Sequence, residues 1–297
     1  MIAHFTRREF IASTVVAAAL PAWAQNFLPK LAVSTWSFHN YFPNTRYGKP
    51  EFKLEDWSLE KVIGHAAKNL DIRNFELSSA HLASLELPYL EELKKKAAVE
   101  GWKFIHLSDN MRGVNLARAD AGQREMDFQR FVELIRVANK LAIPSLRVNT
   151  GAPEKPDWNL DITIEQYRRL AKLGKEQGVE IIIENHFGIS ADPVLVEKII
   201  KAVGENISSC PDFGLFKEDK NRWPGLEIMF RNARRMCSAK FHGFDAQGKP
   251  KDFDVERCYK VLKQNKFPGW ISLEYEGPLE PTAPLATMKK LVGQWLG

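Results

Sequence analysis

Two spacings of apolar residues take turns along this chain. Short runs rich in β-branched and aromatic residues suit strands. Each is followed by a longer segment whose apolar positions return every three or four residues, as on one face of a helix. The predicted strands cover 31–38, 72–77, 103–107, 145–149, 180–184, 207–212, 236–241 and 270–275. The predicted helices cover 56–69, 88–100, 126–141, 164–177, 193–203, 224–234, 255–264 and 284–295. Local punctuation agrees with several of these bounds. Pro88 stands at a helix start, Gly178 and Gly204 follow helix ends, and Asp254 is a good cap for the segment behind it. Strict alternation of strand and helix, with no linker, repeat or low-complexity stretch, predicts an α/β fold: a single (β/α)8 TIM barrel over 25–297. A doubly wound open sheet is the alternative.

Residues 1–24 stand outside that pattern. Thr6-Arg7-Arg8-Glu9-Phe10-Ile11 resembles a twin-arginine export motif, and Ala22-Trp23-Ala24 offers a small-x-small cleavage site before Gln25. The apolar segment between them, Ile11–Leu20, is about half of the ~20 residues a bilayer-spanning helix needs. The expectation is a folded protein carried by the twin-arginine machinery to the periplasm, or otherwise exported. No other stretch is apolar enough to cross a membrane, so an integral membrane protein is not expected.

Composition changes this picture little. With 44% hydrophobic and 27% charged residues the chain is an ordinary globular one. Its net charge of +5 is spread along the sequence and makes no nucleic-acid footprint. The triplet Lys94-Lys95-Lys96 reads as the solvated face of a helix. Three cysteines, Cys210, Cys237 and Cys258, make no disulfide framework, and the two in predicted strands read as small buried hydrophobes. Oligomeric state stays open.

The chemistry concentrates at strand ends. The run Ile181–Ile183 breaks into Glu184-Asn185-His186, and a carboxylate and an imidazole two residues apart on a strand share one side. Buried charge needs a partner or a metal. Asp212, His242 and Glu274 follow at intervals of 28, 30 and 32 residues, close to the about 31 residues of one strand–helix unit when roughly 250 are shared by eight. Such barrels build their sites at these ends.

Several stretches together resemble the sugar phosphate isomerase/epimerase family, the xylose isomerase-like TIM barrels. They are Ile183-Glu184-Asn185-His186, Pro211-Asp212-Phe213-Gly214, the run from Ala239 to Asp245 with Gly248, and Leu273-Glu274-Tyr275-Glu276-Gly277. The resemblance implies a divalent ion, manganese first and magnesium, cobalt or zinc as options, held by Glu184, Asp212, His242 and Glu274. In many relatives the histidine ligand falls two residues before the lysine, at the position of Ser238 here; His242 lies two after it. The resemblance also implies that Glu184 and Glu274 move a proton next to the carbonyl of a sugar or keto sugar, with the ion stabilising the enediolate. His186 is an acid/base, a substrate contact or a buried histidine satisfied by its neighbours. Lys240 either stabilises an oxyanion or pairs with an acid such as Glu276. Trp36, Glu76, His106 and Arg147 are expected to line the pocket. Two departures stand out: relatives carry a substrate histidine where this chain has Leu215, and an arginine where it has Gly248. The expected activity is a metal-dependent isomerase or epimerase. A 3-keto-glycoside-cleaving lyase and a non-catalytic sugar-binding barrel are the rivals.

Overall fold

The computed structural model describes residues 30–109, 113–151, 159–216 and 218–296; the expected export signal lies outside the described residues. Strand β1 (Leu31–Ser34) leads through a 3-10 turn to helix α1 (Leu59–Leu70). There follow β2 (Asn74–Ser78), α2 (Leu87–Glu100), β3 (Lys103–Ser108), α3 (Ala121–Lys140), β4 (Ser145–Arg147) and α4 (Leu160–Glu176). The second half runs β5 (Glu180–Glu184), α5 (Pro193–Val203), β6 (Ile207–Cys210), α6 (Asp219–Arg231), β7 (Met236–Phe241), α7 (Val255–Gln264), β8 (Trp270–Tyr275) and α8 (Thr282–Trp295).

All strand pairs are parallel, in the order β6-β5-β4-β3-β2-β1-β8-β7. Between β6 and β7 the ladder thins to two isolated bridges, Ser209 with Ala233 and Asp212 with Ser238. These make a nearly closed eight-stranded barrel, and its weak seam runs beside Asp212. Side chains alternate across each strand, and the apolar residues divide accordingly. The large outer core lies between strands and helices and holds Phe75, Leu107, Ile181, Ile183, Phe241 and Leu273. A small inner cluster holds Ala32, Ile105, Ile182, Cys210 and Met236, with Trp270 against it. The other inward positions are polar, which is costly unless they are paired or used.

Several predicted bounds hold to the residue: β5, α5, β7, α7 and β8. The misses have physical causes. The first strand stops at Ser34 instead of 38, because the Ser34 hydroxyl caps a 3-10 turn over Thr35–Tyr41. Helices α3 and α4 start a turn earlier than predicted, at the caps Asp120 and Asn159, whose side chains accept from the first backbone N–H groups; in α3 the first turn, Ala121–Arg124, carries no large apolar residue, so apolar periodicity begins after hydrogen bonding does. Helix α6 begins at Asp219, with Pro224 inside it rather than at its start. The amide that proline lacks would have reached the exposed first turn, where water serves the carbonyl.

Candidate active site

The inward alternation sends Arg147 of β4, Glu184 of β5, Lys240 of β7 and Glu274 of β8 toward the C-terminal mouth, with Asp212 just beyond β6. They meet below a cavity of about 470 Å³ whose walls include Arg147, His186, Lys240, Glu274 and Glu276. Lys240 is only 4% exposed. Its Nζ lies 2.9 Å from Glu274 Oε1 and 3.5 Å from both Asp212 Oδ2 and Glu276 Oε2. The cross-strand register sets Lys240 directly beside Glu274, so the tightest of these pairs is built by β7–β8 pairing itself.

Glu184 is fully buried. Its Oε1 accepts from Arg147 Nη1 at 2.9 Å, while Oε2 has no hydrogen-bond partner among the described residues and lies 3.7 Å from His186 Nε2. Arg147 also donates to the Asp109 carbonyl at 2.9 Å. Asn185, on the opposite side of β5 from Glu184, clamps the neighbouring strand end. Its amide donates to the Asp212 carbonyl at 3.0 Å and accepts from the Asp212 N–H at 2.8 Å. The Asp212 Oδ1 accepts from Gly214 N–H at 2.7 Å, which leaves Oδ2 toward Lys240.

Electrostatics follow from burial and these pairings. Burial, joined by like charge from Glu274, pushes Glu76, Glu184 and Asp212 up to about 7, although Lys240 pulls each of them down. Burial works to discharge Lys240, but Asp212, Glu274, Glu276 and Glu184 together hold it well above the usual lysine range. Burial, with Arg147 and Lys240 nearby, drops His186 to about 2, so its imidazole is neutral. For Glu276 burial is outweighed by Lys240 and by hydrogen bonds from Tyr47 and Trp36, and its carboxyl falls below the ordinary range.

The expected site residues therefore separate. Glu184, Asp212, Glu274, His186, Lys240 and Arg147 are brought together. Glu76 and His106 are not on the cavity wall: they lie within the barrel, where Glu76 accepts from the Ser272 hydroxyl at 2.6 Å and His106 pairs with Ser145 at 2.8 Å. Trp36 is on the wall, its ring stacked with those of His39 and His81, and its Nε1–H donates to Glu276 Oε1 at 2.5 Å. Here it braces Glu276. His242 stands at the edge of the cluster, its Nδ1 3.1 Å from Asp252 and its Nε2 4.0 Å from Glu276 Oε2. Strand β7 ends at Phe241, so the alternation that would have aligned His242 with Lys240 stops one residue short.

Sequence reasoning missed Tyr47, Asn149 and Phe187. Tyr47 comes from a loop and donates to Glu276 Oε1 at 2.8 Å, with no local pattern to announce it. Asn149 sits two residues after Arg147, and that spacing was the available signal.

The donor set does not fit the implied divalent ion. Among the described residues no three His, Cys, Asp or Glu side chains converge as ligands. Where such an ion would sit between Asp212 and Glu274, the Lys240 ammonium already stands. Ser238, at the position of the relatives' histidine, offers Glu274 Oε2 a hydroxyl at 3.3 Å instead.

Residues 65–291 match the profile of a family described as the xylose isomerase-like TIM barrel. The chain belongs to that family. Solved structures agree on this xylose isomerase-like fold. A xylose isomerase-like TIM barrel protein from Mycobacterium smegmatis, in complex with magnesium, superposes with TM-score 0.67 at 17% identity, covering 92% of this chain and 97% of that one. An L-ribulose 3-epimerase gives 0.68 at 13% identity, with 90% and 94% covered. The 3-keto-D-glucoside 4-epimerase of E. coli gives 0.65 at 12% identity, with 89% and 98% covered. Among curated proteins nothing matches the sequence. At these identities the structural likeness carries the fold. Among the described residues no helix is long and apolar enough to cross a membrane.

Proposed function

We propose that the barrel is an isomerase or epimerase that moves a proton next to the carbonyl of a sugar or keto sugar. The observation that carries this is Glu184, a buried carboxylate whose Oε2 has no hydrogen-bond partner among the described residues. Beside it, 3.7 Å away, stands His186, a neutral imidazole on the wall of the cavity that Lys240 and Glu274 also face. Glu184, its carboxyl raised to about 7, takes the proton from the carbon next to the carbonyl, and neutral His186 orients a substrate hydroxyl. The C–H electrons become the new C=C bond while the carbonyl pair moves onto oxygen, where the Lys240 ammonium stabilises it. For the isomer a proton returns to the former carbonyl carbon while the hydroxyl proton of the first carbon passes to the oxyanion, leaving the new carbonyl there; return to the other face of the first carbon gives the epimer, with Glu274 as the second carrier. The neighbours that are sugar epimerases support this reading at the level of reaction class.

A second reading rests on the apolar part of the wall. Phe187 is 56% exposed at the mouth, and Trp36, Tyr47 and Leu215 join it. Such a wall suits the aglycone of a 3-keto-glycoside, which the same proton abstraction would expel. Export by the twin-arginine route, proposed from residues 1–24, suits substrates outside the cytoplasm.

The test is incubation with a panel of keto sugars and 3-keto-glycosides in heavy water. Deuterium should enter the carbon next to the carbonyl and enter far more slowly with Glu184→Gln. An isomeric sugar supports the first reading and a released aglycone the second. Sugar binding without exchange across the panel would overturn both and leave a binding protein.

A further inference from the structure

Lys240 is placed by more than its charge. The side chain is buried to within a few per cent, a position lysines take only when paired. Its stem runs against Gly214, where a Cβ would come within 3.0 Å of both Lys240 Cγ and Cδ. The groove is thus shaped for this stem and would be narrowed by any other residue at 214. At its end the ammonium faces three carboxylates, Glu274 and Glu276 from the end of β8 and Asp212 from the segment after β6.

The carboxylates that a metal would need already face fixed cations. Glu274 gives Oε1 to Lys240 and Oε2 to the Ser238 hydroxyl. Asp212 gives Oδ1 to the Gly214 N–H, and its Oδ2, without a hydrogen bond among the described residues, lies 3.5 Å from Lys240 Nζ. Glu184 gives Oε1 to Arg147 and keeps Oε2 without a hydrogen bond among the described residues. A divalent ion set among Glu184, Asp212 and Glu274 would meet two fixed cations at close range, in surroundings that screen charge poorly. Removing the ammonium would instead expose two buried carboxylates to each other, a situation that calls for another cation.

We infer that the Lys240 ammonium is the resident cation of this barrel, that it serves a carbonyl substrate in place of a bound divalent ion, and that the chain takes up no such ion at this site. The catalytic half of this inference rests on the proton-transfer reading above; the binding half stands on geometry alone. An ammonium at this point offers what the chemistry requires, a positive hydrogen-bond donor for oxygen that gains charge as the proton leaves carbon. It also removes any dependence on metal supply.

The full chain, purified and stripped with a chelator, would be titrated with manganese and with magnesium chloride by calorimetry, and its deuterium exchange followed with and without chelator. The expected result is no saturable uptake by the wild type and an exchange rate unchanged by chelator or added metal. Lys240→Met should abolish exchange, and the double variant Ser238→His, Lys240→Met should take up manganese saturably. Saturable binding by the wild type, competed away by a second metal, overturns the inference whether or not the double variant folds. Exchange that is lost to chelator and restored by metal overturns it while leaving the proton-transfer reading in place. A wild type that neither binds metal nor exchanges any substrate sinks the proton-transfer reading instead and confines the inference to charge balance within the barrel.

Discussion

Strand β5 begins and ends with a buried glutamate, and the two ends are handled differently. At the entry end Glu180 is closed on every side. Its Oε1 accepts from the Ser208 hydroxyl at 2.5 Å and from Arg234 Nε at 2.7 Å, and its Oε2 accepts from Arg235 Nε at 2.6 Å. At the exit end Glu184 has one oxygen on Arg147 and the other without a hydrogen bond, 3.7 Å from a neutral histidine. Both residues point inward, four positions apart on the same strand. A buried carboxylate that is fully paired holds structure; one left half open beside a cavity is available for chemistry. The same contrast runs round the barrel, whose working ends in this architecture are the C-terminal ones.

The largest effect that would sharpen this contrast is at the closed end. Glu180→Ala should destabilise the fold by about 3 kcal/mol, the low end for a broken buried pair, because half-exposed Arg234 and Arg235 can turn to water. Urea unfolding would measure it, and a change near zero would mean that Glu180 is no more committed than Glu184. Next comes the clamp. Asn185→Ala leaves the buried backbone N–H and C=O of Asp212 without their side-chain partners and should cost about 1–3 kcal/mol. It should also loosen the seam at Asp212 and Ser238, seen as faster amide exchange at Phe213 and Ser238, whose N–H groups cross that seam. Unchanged protection there would show that Asn185 does not hold the strand end.

Much of this architecture is legible in the chain. The β-branched run Ile181–Ile183 and the punctuation at Gly204 and Asp254 mark elements whose bounds the structure repeats. Alternation also marks Glu184, Lys240 and Glu274 as inward, since strands this regular leave little choice of side. The rest depends on where strands stop and on what loops fold over them. His242 lies one residue past the end of β7, and Trp36 lies in a 3-10 turn where a strand was expected. Tyr47 reaches Glu276 across 229 positions of sequence, and no local pattern encodes that contact. Nor does spacing say that a lysine enters the carboxylate cluster itself: the sequence allows Lys240 as an oxyanion donor or as a partner of Glu276, and the fold gives it three acids at once.

Smaller effects probe the boundary between the two kinds of site. Trp36→Phe removes one of the hydrogen bonds that hold Glu276 ionised and should cost about 1 kcal/mol, with the Glu276 carboxyl titrating at higher pH by carbon NMR. The smallest effect is one of pH. Glu184 sits near 7 in the folded protein against an ordinary value of 4.5, so its folded form binds the proton more tightly than the unfolded chain does. Its contribution to stability is complete below 4.5 and is lost as pH rises through 7. Relative to Glu184→Gln, the wild type should therefore lose stability across that window. A relative gain instead would place Glu184 with the closed pairs.

The contrast between the two ends of β5 is tested most directly by deuterium exchange into a keto substrate, measured per folded molecule for Glu184→Gln and Glu180→Gln side by side. The account predicts that Glu184→Gln slows exchange about 10²–10⁴-fold while Glu180→Gln matches the wild type once its unfolded fraction is discounted. Equal losses in both variants, or wild-type exchange in Glu184→Gln, would contradict it.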